Sequence, residues 1–241
     1  MRTEPPVDRT YTDATLILDL VDPGRTALVN DPHGLRACSE HLLSLRFPGL
    51  APPTIVTADL RTIRSFLAEH GIAVAKPVDG FSGRGVLRLE RHDPNLASLI
   101  EICTRNGARA VVVQRFLREV SAGNKRIFVI PGEPAGAVYR YPAAGDFRIG
   151  NPTGQAPITE RDREICARLA PALRRHRIHL AGLDVIGPHL IEVNVTSVGA
   201  LRKADALLSW TLWADLLDSV LGAQQNAQDK QQNAEEKRRS A

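Results

Sequence analysis

The feature that most constrains this chain lies near its C-terminal end: Leu183-Asp184-Val185-Ile186-Gly187-Pro188-His189-Leu190-Ile191-Glu192-Val193-Asn194-Val195-Thr196-Ser197. Two apolar runs flank Gly187-Pro188, the signature of an antiparallel hairpin. Side chains alternate along a strand, so Glu192 and Asn194 point to one face. With a three-residue turn, Asp184 stands opposite Glu192 on that face. Two carboxylates and a carboxamide then converge, all hard oxygen donors of the kind that hold Mg2+. The plainer alternative is a solvated polar face. The Leu, Val and Ile residues around these three argue against it.

A second feature lies upstream. Ile72-Ala73-Val74-Ala75-Lys76-Pro77 is a short apolar strand ending in the only lysine of the first half of the chain, followed by Val78-Asp79-Gly80-Phe81-Ser82-Gly83-Arg84-Gly85 and a second strand, Val86-Leu87-Arg88-Leu89. A strand, a flexible glycine loop (Gly80, Ser82, Gly83, Gly85) and a strand form a lid whose amides can approach phosphate oxygens. It is neither a Walker loop nor a dinucleotide fingerprint, both of which open a helix. Alone, such a turn is more often simple hairpin geometry. Joined to Lys76 and to the distant carboxylates, it reads as a phosphate lid facing a magnesium site.

With 241 residues, 43% of them hydrophobic, the chain can bury a full core in one or two domains. No run approaches a membrane span, and Glu4 and Asp8 among prolines do not make a signal peptide. Cys38, Cys103 and Cys166 are scattered and without metal spacing, which points to reduced packing thiols in a cytoplasmic setting. The net charge of +4 could suit nucleic acid, but no basic stretch is interleaved with aromatics. An enzyme handling phosphates and carboxylates explains the arginines better.

The chain divides into four stretches. Residues 1–39 read as an extended lead-in, with a strand at Ala27-Leu28-Val29. Residues 40–115 read as a small α/β lobe with helices over 35–46, 59–70 and 95–106 and strands at 54–57 and 110–114. Residues 116–221 read as a second lobe with strands 125–130 and 135–141. A helix starts at Thr159-Glu160-Arg161-Asp162, which has capping-box character, and the hairpin and a helix over 203–221 follow it. Residues 222–241 are Gln, Asn, Ala and charge, too polar to pack, and read as a frayed or disordered tail.

In order, Lys76-Pro77-Val78-Asp79-Gly80, Gln114-Arg115-Phe116-Leu117, Lys125-Arg126, Gly182-Leu183-Asp184-Val185-Ile186-Gly187 and Ile191-Glu192-Val193-Asn194-Val195-Thr196-Ser197 resemble the ATP-grasp ligases, and among them the bacterial glutathione synthetases. The likeness extends upstream through Met1-Arg2-Thr3-Glu4-Pro5-Pro6-Val7-Asp8 and Val29-Asn30-Asp31-Pro32, and covers nearly everything up to about residue 221. It implies an α/β (α+β) ATP-grasp fold of two lobes with ATP bound between them. It also implies Mg2+, or Mn2+ in its place, held by Asp184, Glu192 and Asn194. The implied reaction activates a carboxylate as an acyl phosphate, from which an amine displaces phosphate. The same resemblance gives Lys76 and the Gly80–Gly85 lid to the phosphates and Gln114, Arg115, Phe116 and Leu117 to adenine. It places Asn124 where the family has a ribose-binding acid, His41 where it has a second phosphate lysine, and Arg126 and Arg148 at the transferring phosphoryl and acyl-phosphate oxygens.

The departures fall on the substrate side. The family carries a further N-terminal domain ahead of the Met-Arg-x-x-Pro-Pro segment, so residues 1–39 read as its remnant. The family's glycine-rich loop is shortened to 149–155, and Val198-Gly199-Ala200 replaces a Pro and a small hydroxyl residue. Three classes stay open: a glutathione-synthetase-like carboxylate–amine ligase, an ATP-grasp ligase with another peptide or amino-acid substrate, and a non-catalytic ATP-binding paralogue. The expected partners are small carboxylate and amine substrates and either a homo-oligomer or a protein supplying the N-terminal domain, with no nucleic acid and no membrane.

Overall fold

Period-2 strands build two antiparallel sheets in the computed structural model, which describes residues 7–22, 25–80 and 82–222. The smaller sheet has β1 (Thr54–Thr57), β2 (Ile72–Pro77), β3 (Leu87–Glu90) and β4 (Val111–Arg115) in the order β1-β4-β2-β3. Helices α3 (Leu60–His70) and α4 (Leu96–Thr104) pack Ile63, Phe66, Leu67 and Ile100 onto Ala73, Ala75, Val111 and Val113. Alternation therefore turns Val74, Lys76 and Gln114 to the other face, toward the cleft between the lobes.

The larger sheet has β5 (Asn124–Ile130), β6 (Glu133–Pro142), β7 (Ile149–Gln155), β8 (Ala181–Ile186) and β9 (His189–Asn194) in the order β7-β6-β5-β8-β9. On one face lies α5 (Glu160–Arg175), whose Ile165, Leu169 and Leu173 recur at helical spacing over Ile127, Leu183, Leu190 and Val193. The expected capping box is present: Thr159 and Asp162 exchange side-chain-to-backbone bonds, and Asp162 also receives Lys125 Nζ at 2.5 Å. On the other face, α6 (Leu201–Leu208) and a helix over 212–222 cover Phe128 and Val138. Asn124 and Arg126 share that face with Phe128 and reach the cleft.

Several boundaries differ from the sequence expectation. Residues 40–50 do not belong to the small lobe: Leu43 and Leu50 pack into the large-lobe core, and Leu50 O accepts Leu190 N–H. The lead-in is not extended. Asp8 caps α1 (Arg9–Leu18) and Asp31 caps α2 (Pro32–Ala37), while residues 27–29 form no strand. The helix expected over 35–46 breaks after Ala37 and resumes as a 3-10 turn at Leu43–Arg46. The helix expected over 203–221 is split by Ser209, whose φ is +54°. The shortened loop at 149–155 is edge strand β7, paired with β6. Met1–Pro6, Phe81 and residues 223–241, nearly all of the expected tail, lie outside the described residues.

Gly34 is demanded by close approach, since a Cβ there would sit 2.0 Å from the His176 carbonyl oxygen. Cys38 and Cys166 fill the large core, and burial pushes their thiols up to about 11 and about 12, where they are inert. Among the described residues no helix is long and apolar enough to cross a membrane.

Candidate active site between the lobes

The acidic hairpin has the pairing expected of it, by a different route. Ile186 pairs with His189 across a two-residue Gly187-Pro188 turn, Val185 with Leu190, and then a bulge at Ile191 shifts the register so that Asp184 faces Glu192 and Gly182 faces Asn194. A bulge sets two adjacent residues against one partner. Ile191 and Glu192 consequently both line the cleft, whereas Leu190 and Val193 go to the core. One hairpin thus offers an apolar wall and an acid side by side.

Asp184 is buried and fully engaged. Arg126 Nε and Nη2 donate to its Oδ1 and Oδ2 at 2.7 Å each, and Arg140 Nη2 lies 2.7 Å from Oδ1. Burial alone would raise its carboxyl, but the two guanidiniums outweigh this and hold it well below the usual carboxylate range. Arg140 is fixed in turn by Asn124, whose Oδ1 accepts from its Nε at 3.2 Å and Nη2 at 2.7 Å. Asn124, expected at the ribose, therefore lines the cleft as the support of an arginine that the sequence reading did not single out. Its signal was a lone arginine inside the apolar, aromatic strand β6, directly across from Asn124 in register.

Lys76 reaches in from the small lobe. It is buried, with a long 3.4 Å contact to Gln114 Oε1, and Gln114 Nε2 donates to Thr54 Oγ1. Burial pulls its ammonium down, while Glu192 and Asp184 across the cleft push the other way. Such a weakly partnered buried cation suits an incoming anion. Ser82 and Gly83 of the lid line the cleft, whereas Gly80 and Gly85 fold the lid back onto Pro77. The stem of Arg148 packs under Gly83, joining the lid to the large lobe, and its exposed guanidinium is held by Asp146 at 2.7–3.1 Å. His41 does not line the cleft. Its Nδ1 is 2.9 Å from the Pro77 carbonyl, which only accepts, so Nδ1 carries the hydrogen and Nε2 faces Glu192 at 3.7 Å. Arg115 and Phe116 spend their N–H groups on Pro53 and Ile72 carbonyls.

Together these residues enclose a cavity of about 670 Å³ between the lobes. Glutamate, asparagine and aspartate oxygens are chemically right for a hard divalent cation. Asn194 Nδ2 donates to Gly182 O at 3.0 Å, which leaves its amide oxygen as the acceptor. Asp184 is turned to its arginines, so Glu192 and Asn194 are the pair best placed toward a metal.

Glu40 also lines the cavity, and the sequence reading passed over it beside His41. Its Oε1 accepts the N–H groups of Val195 and Thr196 at 3.0 and 3.1 Å. Burial, reinforced by Glu192, raises its carboxyl to about 7 against the pull of those bonds and Arg126. A folded-state value above the ordinary one means that the folded chain keeps a proton the unfolded chain has lost. Glu40 therefore lowers stability progressively from about pH 4.5 to about pH 7, on the order of 3 kcal/mol in all. Glu40→Gln should remove that slope and raise the melting temperature at pH 8 but not at pH 4. Melts of both proteins across this range check it.

Comparison with known proteins places the whole assembly. The prokaryotic glutathione synthetase ATP-grasp domain matches residues 40–208, and the N-terminal domain of the same family matches residues 1–36. The glutathione synthetase of Thermosynechococcus vestitus is 48% identical over 211 residues, covering 86% of this chain and 66% of the relative. That of Xanthomonas campestris pv. campestris is 39% identical over 225 residues, covering 91% and 71%. The chain thus spans just under two thirds of the Thermosynechococcus protein's length. Among solved structures, the ATP-grasp ligase PsnB complexed with minimal precursor superposes with a TM-score of 0.66 at 25% identity, over 89% of this chain and 69% of that one. D-alanine–D-alanine ligase from Bacillus anthracis complexed with ATP gives 0.59 at 19%, over 84% and 71%, a likeness of fold. With its two antiparallel sheets, its interlobe cavity and a match running from residue 40 to 208, the chain belongs to the prokaryotic glutathione synthetase family and has the ATP-grasp fold.

Proposed function

We propose that this chain is an ATP-dependent carboxylate–amine ligase of the glutathione-synthetase kind, forming an amide through an acyl phosphate. The observation that carries the reading is the facing of Lys76 from one lobe and the Asp184–Glu192–Arg126 group from the other across one cavity. Phosphoryl transfer needs alignment and charge neutralisation more than covalent help. Glu192 and Asn194 would hold a bound Mg2+, which would supply charge neutralisation. Lys76 and the Ser82–Gly83 turn hold the phosphate chain. Val74, Phe116, Leu117 and Ile191 supply apolar walls for the base. The lid, resting on the Arg148 stem, excludes water from an intermediate that water would destroy.

Arg126 and Arg140 act on the reacting oxygens. Both are parked on Asp184, and their planar forks suit two oxygens at once. An incoming phosphoryl or acyl-phosphate group would accept N–H hydrogen bonds that these guanidiniums now give to Asp184, and the Asp184 carboxylate would then be available as a further oxygen ligand. His41 orients Glu192 and the lid strand rather than anchoring phosphate.

A second reading, an ATP-grasp ligase acting on another peptide or amino acid, draws on the far wall. There Val198-Gly199-Ala200 carries no hydroxyl, and Lys203 Nζ reaches Asn151 of β7 at 2.6 Å. The test is ADP release with Mg-ATP, γ-glutamyl-cysteine and glycine, with mass spectrometry of the products. Tripeptide supports the first reading, and ADP formed only with other carboxylates supports the second. Separately, saturating Mg-ATP at about 100 times its Kd should stabilise the chain by about 2.7 kcal/mol. Glu192→Gln should lose most of the magnesium-dependent part, and undiminished protection would refute the metal assignment.

A further inference from the structure

Beyond the last residue of β9 the chain leaves the sheet and runs along the cavity wall through Thr196, Ser197, Val198, Gly199 and Ala200 into α6. Leaving a sheet strands backbone donors, which need partners when buried. Here the partners come from far away in sequence. Glu40 Oε1 takes the Val195 and Thr196 N–H groups, and Glu40 O takes that of Val193 at 3.1 Å. The Tyr11 hydroxyl donates to Thr196 Oγ1 at 2.7 Å, and Asn30 Nδ2 donates to Val195 O at 2.7 Å. Tyr11 and Thr196 are both buried. Three residues of the first 40 thus grip one turn that forms a wall of the candidate active site.

We propose that Tyr11 and Glu40 are positioning residues that fix the 195–200 turn, and with it the far, substrate-side wall of the candidate active site. Residues 8–40 are then a working part of the catalytic lobe, not a relic beside it. This rests on the ligase reading above. The geometry favours positioning over chemistry, because the Glu40 oxygen that faces the turn is already committed to two amides. Neither Tyr11 nor Glu40 hydrogen-bonds Lys76, Gln114 or the lid among the described residues, but Glu40 feels the charges of Glu192 and Arg126, so Tyr11 is the part of the bracket separable from nucleotide binding.

Three variants of the full chain test it: Glu40→Ala, which loses the acceptor, Glu40→Gln, whose amide oxygen still accepts both N–H bonds, and Tyr11→Phe, which removes one oxygen. Hydrogen exchange at Val195 and Thr196, the Kd for Mg-ATP, and the KM and kcat for glycine-dependent ADP release are read for each. In Glu40→Ala, exchange at both amides should quicken about tenfold and the KM for glycine should rise about tenfold, while in Tyr11→Phe the Kd for Mg-ATP should stay within about twofold of the parent. Glu40→Gln should restore both quantities. Tyr11→Phe should move them in the same direction by less, and serves alone if Glu40→Ala does not fold. Unchanged exchange in Glu40→Ala overturns the proposal, as does a parallel loss of ATP affinity in Tyr11→Phe, the mark of general loosening. Should the unsubstituted chain make no product from these substrates, the ligase reading fails there. The bracket is then judged on exchange and ATP affinity alone.

Discussion

Asp184→Ala is expected to cost about 3–5 kcal/mol of stability, because it leaves two buried guanidiniums without their anion. Arg126 is 5% exposed and spends a bidentate fork on Asp184, while Arg140 adds a third bond at 2.7 Å. Exposed ion pairs are worth little, but a buried charge that loses its partner retains its full desolvation penalty. Urea melts at pH 7 check this, and a loss below about 1 kcal/mol would mean that the arginines find Glu192 or water instead. The pH dependence has a definite sign. The Asp184 carboxyl is held below its ordinary range when folded, so it stabilises the fold above about pH 3.9, and that contribution is withdrawn as acid protonates it. The variant should therefore differ most from the parent at neutral pH and converge on it in strong acid.

Asn30→Asp should be nearly as damaging, for a neutral reason. Asn30 is 5% exposed and satisfies four backbone groups at once: its Nδ2 donates to Leu180 O and Val195 O at 2.7 Å each, and its Oδ1 accepts from His179 N at 2.8 Å and Leu180 N at 2.9 Å. It stitches the chain entering β8 to the chain leaving β9. An aspartate keeps the acceptor side but turns a carboxylate oxygen on two carbonyls. Each stranded buried group costs about 1–3 kcal/mol, so a loss on the order of 3–5 kcal/mol follows at pH 8. Protonation restores one donor, so the variant should recover part of that loss near pH 5. Calorimetry at both pH values decides it: equal losses would show that the carbonyls are served by water.

What was legible in the sequence was mostly local periodicity. The hairpin, the lid strands around Lys76, α3 behind Asp59 and the Thr159–Asp162 cap all follow from alternation and capping chemistry within a few residues. Residues 9–18 are helical where an extended lead-in was expected, because Asp8 caps them and Tyr11 and Thr15 turn to the buried side. β7 was hidden by its Gly, Pro and Asn content and exists as an edge strand because β6 templates it. The arginine arrangement was the least legible part. Arg126 was placed at a substrate from its motif, but its bond to Asp184, and the whole of Arg140, depend on strand register across the sheet. The division of lobes at residue 40 failed for a similar reason: Leu43 and Leu50 are ordinary apolar residues that pack into a cluster made largely of residues 127–195, far along the chain.

The bulge at Ile191 separates two properties that share one hairpin. Because it lies between the Val185–Leu190 and Asp184–Glu192 pairs, the opposition of the two acids does not depend on it. A hairpin lacking Ile191 would close into a regular two-residue turn with the same acids face to face, but with one fewer apolar side chain on the cavity wall. Length variation at this single position therefore leaves the charge pattern alone and changes only the apolar lining beside it.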